Sequence, residues 1–83
     1  MTAERFLHLS DVAEILNISS SQTYALVRSG DLPAIKIGGR GQWRVEREEL
    51  ERYIQRKYKE TRDFLKAHPF TYGDVPDEEL ERG

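Results

Sequence analysis

Apolar residues at helical spacing follow a helix-start signal near the beginning of the chain. Ser10 is a residue type that caps the free amides of a first turn, and Asp11 favours the positive end of a helix. The apolar residues that follow share one helical face: Val12, Ile15 and Leu16. We therefore predict a first helix that starts at Ser10 and stops near Asn17.

A second helix start follows after a short connection, residues 17–19. Ser19 lies three positions before Gln22, which is the spacing of a capping box. The next apolar and small residues again repeat at helical spacing and are predicted to face the core: Thr23, Leu26 and Val27. Gly30 stands where a left-handed residue ends a helix. Two short helices joined in this way have the form of a helix-turn-helix.

The pattern then changes from helical spacing to alternation. Pro33 excludes a continuing helix, and Ile35 and Ile37 alternate with Lys36 as in a strand. Residues 38–41, Gly-Gly-Arg-Gly, allow a tight reversal. The second strand alternates as well, with Trp43 and Val45 on one face and Gln42 and Arg44 on the other. The segment is predicted to be a β-hairpin with a polar or basic tip and face, which makes it a wing.

A long helix is predicted from about Arg47 to Ala67. Its apolar stripe falls at spacings of three and four: Leu50, Tyr53, Ile54, Tyr58, Thr61, Phe64 and Leu65. At 1.5 Å per residue this helix is about 30 Å long, which exceeds the reach of one small core. Its far half must therefore pack on something else or remain exposed. Pro69 ends the helix or lies just beyond its end.

Charge is unevenly distributed, although the net charge is only −2. Between residues 20 and 45 a single anion, Asp31, stands against the cations Arg28, Lys36, Arg40 and Arg44. Residues 69–83 have the opposite balance, since Arg82 stands against Asp74, Asp77, Glu78, Glu79 and Glu81. We predict one domain over residues 1–68 and an acidic, disordered tail over residues 69–83. The basic middle is compatible with a phosphate-binding surface.

Length and composition restrict the class of protein. At 83 residues, one domain is expected, and an apolar enzyme pocket is hard to enclose. The chain has no cysteine, which excludes disulfides and cysteine-based zinc sites. It also lacks an apolar run near the roughly 20 residues of a membrane span and an N-terminal signal peptide. We expect an intracellular protein of the cytoplasm, associated with the nucleoid.

No enzyme site is predicted. Residues 38–41 lack the spacing and the Lys-Ser/Thr ending of a phosphate-binding P-loop. His8 and His68 are isolated from further metal ligands and from any nucleophile they could activate. The serine run at 19–21 is better explained by capping and phosphate contact. We therefore predict no catalytic residue, no metal site and no cofactor.

The order of these segments resembles the excisionase-type helix-turn-helix family, which is related to the DNA-binding domains of MerR-type regulators. The similarity runs from about Phe6 to Ile54. Its most specific stretches are residues 28–30 (Arg-Ser-Gly) with Leu32-Pro33, the turn at 38–44, and residues 45–50 (Val-Glu-Arg-Glu-Glu-Leu). The resemblance implies a mainly α fold with a small β-hairpin, a winged helix-turn-helix followed by a long C-terminal helix. It also implies that the second helix enters the major groove of duplex DNA and that the wing contacts the backbone or minor groove.

Candidate DNA contacts lie on the second helix and on the wing. On the helix they are the residues turned away from the core: Ser20, Ser21, Gln22, Tyr24 and Arg28. The first three supply donors and acceptors near the helix N-terminus, and Gln22 is suited to pair with adenine. Arg28 is better placed for phosphate. On the wing the candidates are Lys36, Arg40, Gln42 and Arg44. Trp43 shares the face of Val45, so a place at the core or its rim is favoured over base stacking.

The resemblance also has departures. The position of Ala25 is often occupied by a larger or basic residue in the family, which puts one recognition contact in doubt. No effector-binding domain follows the DNA-binding part, so the likeness to metal- or drug-sensing members stops at the DNA.

Several roles remain open from the sequence. The first is a small transcriptional regulator, and the second is an excisionase-like architectural factor that assists site-specific recombination. A third, of another class, is a protein-interaction adaptor that does not bind DNA. The distal part of the long helix is a candidate for self-association or for a partner protein, through Tyr58, Phe64 and Leu65. The acidic tail is also a candidate competitor of DNA for the basic wing.

Overall fold

The computed structural model describes residues 4–69 of the chain. Its elements in chain order are β1 (Phe6–Leu7), α1 (Leu9–Leu16), α2 (Ser20–Ser29), β2 (Ile35–Ile37), β3 (Gln42–Glu46) and α3 (Arg47–Ala67). The fold is mainly α, a winged helix-turn-helix with a long C-terminal helix, as predicted. Among the described residues, no helix is both long enough and apolar enough to cross a membrane. The predicted disorder of the tail falls on residues outside the described part.

The first helix begins one residue earlier than predicted. Its N-cap is His8, whose backbone amide donates to Asp11 Oδ2 at 3.0 Å. Ser10 therefore lies inside the first turn, and its predicted role as the cap was wrong. The helix ends as expected at Asn17, which adopts a left-handed conformation with φ 57°.

The buried face of α1 also differs from the predicted stripe. Val12 and Ala13 are buried and Leu16 packs against the core at its edge, whereas Ile15 is 50% exposed. At 100° per residue, a face centred between Val12 and Ala13 places Ile15 well to one side. The apolar character of Ile15 made the face look wider on that side than it is.

The start and the end of α2 follow the prediction. The backbone amide of Gln22 donates to Ser19 Oγ, and Gln22 Oε1 accepts from the backbone amide of Ser19, both at 3.0 Å. Two amides that lack helical partners are thereby satisfied. Gly30 ends the helix with φ 86°, a conformation that costs glycine little. Thr23 and Val27 are buried, so α2 turns its predicted face to the core.

The predicted hairpin is part of a three-stranded antiparallel sheet with strand order β1-β3-β2. The added strand, β1, pairs Phe6 with Glu46 and Leu7 with Val45. At two residues, β1 is too short for alternation to be visible in the sequence. Leu7 and Val45 point into the core, which they share with the buried residues Val12, Val27, Leu32, Leu50 and Tyr53.

The long helix has the predicted bounds but only its first two turns are held by the core. Leu50 and Tyr53 are buried, and Ile54 packs at the core edge. The backbone amide of Arg47 donates to the carbonyl of Arg5 at 2.7 Å, which ties the helix start to β1. From Tyr58 onward every described residue is exposed. The far half therefore projects beyond the core.

Candidate nucleic-acid interface

One side of α2 presents a row of exposed polar and aromatic side chains. All of the predicted contact residues on this helix are exposed: Ser20, Ser21, Gln22, Tyr24 and Arg28. Thr23 and Val27 anchor the opposite side, and Thr23 Oγ1 donates to the carbonyl of Ser19 at 2.9 Å. The free N-terminal amides and the positive end of the helix dipole favour an anion at this end. The arrangement is chemically suited to phosphates and to polar base edges.

The Gln22 side chain, which was predicted to contact DNA, also caps the N-terminus of α2. Its Oε1 already accepts from the backbone amide of Ser19, which leaves the side-chain NH₂ group as its free donor. A bidentate contact with adenine needs this oxygen to accept from the base as well. A bidentate contact with adenine would therefore share this oxygen with the cap of α2, whereas a contact donated by the NH₂ group would not.

An aromatic contact connects α2 to the wing. The rings of Tyr24 and Trp43 meet edge to face, with centroids 6.5 Å apart and an interplanar angle of 77°. Trp43 is half-buried and packs against the core, as predicted from the alternation along β3. Because Tyr24 lies on the exposed row of α2, this pair fixes which side of the hairpin is next to that row.

The four predicted wing residues do not share one face of the hairpin. Directly paired residues in an antiparallel sheet point to the same side. Lys36 pairs with Trp43 and therefore lies on the side that faces α2. Gln42 pairs with Ile37, and Arg44 pairs with Ile35, on the outer side. Arg40 lies in the turn between the strands and is exposed.

The Lys36 side chain extends along the hairpin toward its tip. A Cβ atom at Gly41, whose φ is 69°, would lie 2.7 Å from Lys36 Cε and 3.5 Å from Lys36 Nζ. The ammonium group thus lies over the turn that contains Arg40. Both residues therefore belong to the tip of the hairpin.

The Arg44 side chain has a different environment. It is half-buried, and its Nη1 donates to the carbonyl of Trp43 at 2.8 Å. It lines a cleft of about 190 Å³ on the outer side of the sheet, whose lining also includes Phe6, Ile35, Glu46 and Glu49. The structure therefore separates Arg44 from the exposed row on α2.

The outer side of the sheet is an apolar surface that was not predicted. Phe6, Ile35 and Ile37 are 36%, 48% and 46% exposed. The length of the turn after Ile37 could have predicted this surface. A four-residue turn pairs Ile37 with Gln42, and this register directs both isoleucines to the outer side of the sheet.

The cations of the wing and of α2 differ from those of α3 in their partners. Within residues 4–69, no carboxylate oxygen lies within 4.0 Å of the cationic groups of Arg28, Lys36, Arg40 or Arg44. On α3, by contrast, the cations Arg52, Arg56, Lys57 and Lys59 pair with carboxylates of the same helix. The hydrogen bond that Lys57 donates to the Glu60 carboxylate raises the pKa of Lys57 above its ordinary value. Among the described residues, every cation of α2 and the wing is thus without a carboxylate partner, whereas on α3 only Arg47, Arg62 and Lys66 are.

A comparison with known families agrees with this geometry. Residues 6–58 match a family model described as a helix-turn-helix domain. The match covers both short helices, the hairpin and the part of α3 that packs on the core. No curated protein and no solved structure matches the chain significantly.

Proposed function

This chain belongs to the excisionase-type helix-turn-helix family, and from that premise we propose that it reads duplex DNA with α2 in the major groove and the hairpin against an adjacent stretch of backbone or minor groove. A helix-turn-helix domain of this family supports DNA binding. The sequence dependence of binding and the contact residues are our proposal.

The proposal rests on the exposed row of α2 and on the cations beside it, Arg28, Lys36 and Arg40, none of which has a carboxylate oxygen within 4.0 Å among residues 4–69. We assign base-edge contacts to Ser20, Ser21, Gln22 and Tyr24, whose side chains lie in the first half of α2. Arg28 lies toward the helix C-terminus and is assigned to phosphate. Lys36 and Arg40 are assigned to phosphates or to the minor groove at the hairpin tip. Gln42 and Arg44, which were also predicted to contact DNA, lie on the outer side of the hairpin and are assigned no direct contact.

A small transcriptional regulator in the cytoplasm is the role that we favour. An excisionase-like architectural role in recombination uses the same contacts, and membership of the family supports it equally. The adaptor alternative has one observation in its favour, the exposed apolar stripe on the far half of α3, where Tyr58 and Leu65 are 62% and 61% exposed. We propose that this stripe, together with Phe64, is covered by a polypeptide segment, and that this occurs in addition to DNA binding.

Fluorescence anisotropy of a labelled random-sequence duplex, titrated over a salt series, tests DNA binding. The double variant Lys36→Glu/Arg40→Glu should lose most of its affinity, because two phosphate contacts become repulsions. Lys59→Glu/Arg62→Glu is the matched control, since it makes the same charge change at exposed positions of α3. An equal loss in both variants would mean that net charge, and not the hairpin, governs binding. Absence of binding by the unmodified chain even at low salt would favour the adaptor role.

A further inference from the structure

The far half of α3 and the end of α1 form an open apolar groove. Its volume is about 260 Å³, and Leu16 forms one wall while Tyr53, Ile54, Tyr58 and Thr61 form the other. The apolar surface continues along the helix to Phe64 and Leu65, which are 52% and 61% exposed. Contiguous apolar surface of this kind is usually covered by another segment.

Cations lie within this groove and along one border of it. Lys57 lines it, and its ammonium group lies 5.5 Å from the centre of the Tyr53 ring. Along the border next to Tyr58, Arg62 follows Tyr58 by four residues and Lys66 follows Arg62 by four. Neither Arg62 nor Lys66 has a carboxylate oxygen within 4.0 Å in the part of the chain that the structure describes.

This charge pattern bears on which segment covers the groove. In an antiparallel pair of α3 helices each edge would meet itself, so that Arg62 would approach the second Arg62. In either orientation Lys57, which lies within the stripe three residues after Ile54, would face the apolar surface of the second copy. Both arrangements place cations in the paired surface and supply no carboxylate for them. The groove therefore favours an acidic segment over a second copy.

The chain contains such a segment shortly after α3. Residues 74–81, Asp-Val-Pro-Asp-Glu-Glu-Leu-Glu, combine five carboxylates with Val75 and Leu80. The seven residues from Ala67 to Asp74 can span at most about 25 Å. The groove and stripe from Leu65 back to Ile54 occupy only about 16 Å of helix. The segment is therefore long enough to reverse direction and lie along α3.

We propose that residues 74–81 dock in the groove between α1 and α3. Val75 and Leu80 contact the apolar floor at Ile54, Tyr58 and Leu65, and the carboxylates pair with the cationic border. The hairpin is a less favourable site for the same segment, because α3 begins at the end of β3 and separates its own C-terminal end from the sheet by about 30 Å. This proposal concerns a protein surface and does not depend on DNA binding.

Disulfide trapping tests the proposal directly, because the chain has no cysteine of its own. The full chain is prepared with Pro76→Cys and Thr61→Cys, which places one thiol in the segment and one in the groove. The matched control combines Pro76→Cys with Gln55→Cys, a neutral exposed position of α3 that lies about 120° around the helix from Thr61. In a glutathione redox buffer the Thr61 pair should close an intrachain disulfide about tenfold faster than the Gln55 pair, since docking raises the local thiol concentration.

Charge reversal on the border provides a second measurement. Adding Arg62→Glu/Lys66→Glu to the Thr61 pair should remove most of that rate advantage, whereas adding Lys59→Glu, outside the border, should leave it. Equal rates for the Thr61 and Gln55 pairs overturn the proposal. Predominantly interchain disulfides between Thr61→Cys chains overturn it in favour of a second copy. Faster closure of a Gly39→Cys/Pro76→Cys pair overturns it in favour of the hairpin as the site of the segment.

Discussion

Neutralising the hairpin cations one at a time separates the two sides of the wing. Lys36 lies on the side of Trp43, which contacts Tyr24 of α2, and its ammonium group reaches the tip near Arg40. Arg44 lies on the outer side and donates to the carbonyl of Trp43. If DNA lies along α2, Lys36→Gln and Arg40→Gln should each remove a phosphate contact. Arg44→Gln should remove none.

The expected size of the effect follows from counterion release. Each phosphate contact adds about 0.9 to the slope of log K against log salt concentration on duplex DNA. Losing one contact should therefore weaken binding about eightfold at 0.1 M salt, and losing two should weaken it about sixtyfold. Lys36→Gln and Arg40→Gln should also lower the slope by about one each. The Arg44→Gln slope should match that of the unmodified chain.

Anisotropy titrations of one duplex at four or more salt concentrations measure both quantities. Thermal unfolding of each variant should be recorded beside them, because Arg44 is half-buried and its loss can reduce stability without any DNA contact. If Arg44→Gln lowers the slope as much as Lys36→Gln does, the hairpin meets DNA through its outer side. The assignment of the α2-facing side would then be wrong.

Three further predictions concern the supports of the interface, each measured by thermal or urea unfolding. Ser19→Ala removes the N-cap of α2 and should lower the free energy of unfolding by about 1 kcal/mol, or the melting temperature by roughly 4–8 °C. The control Ser20→Ala should cost much less, and equal losses in the two variants would contradict the capping role of Ser19. Gly41→Ala should cost about 1 kcal/mol because its φ is 69° and Lys36 must move, while Gly39→Ala meets no atom within 4 Å and should be tolerated. Leu32→Ala removes a side chain with 0% exposure and should lower the free energy of unfolding by about 2–5 kcal/mol, a large share of the stability of a small domain. A loss below about 1 kcal/mol would mean that the surrounding core residues move in to fill the cavity.

Much of the fold is encoded in local signals that act within a few residues. The Ser19–Gln22 capping box, the left-handed Gly30 and the bounds of α3 were all predictable, because each depends on chain geometry over one or two turns. The start of α1 was predicted wrongly because the sequence offers two capping arrangements, one with Ser10 as the N-cap and one with His8. Asp11, three residues after His8, bonds the His8 amide, so Ser10 falls within the helix.

The features that sequence reasoning missed depend on contacts between distant residues. Strand β1 exists because Leu7 completes the core beside Val45, and neither residue shows this in its local pattern. In the candidate site, alternation along β3 correctly separated Trp43 from Arg44. Alternation along β3 could not predict on which side of the sheet Lys36 lies, because that depends on the register between β2 and β3. The exposed row on α2 was predictable because the apolar spacing of that helix predicts its buried face, and the row lies on the remaining surface.

Strand β1 also has a consequence for the order of events during synthesis. Among residues 4–69 its strand partner is β3, and the first residue of α3 donates to Arg5 beside it. The beginning of the domain is therefore completed by residues made some forty positions later. On the ribosome, α1 and α2 emerge before Val45, Leu50 and Tyr53 exist to close the core above them. A nascent chain that stops after α2 should therefore be a substrate for chaperones and proteases, and not a shorter DNA-binding protein.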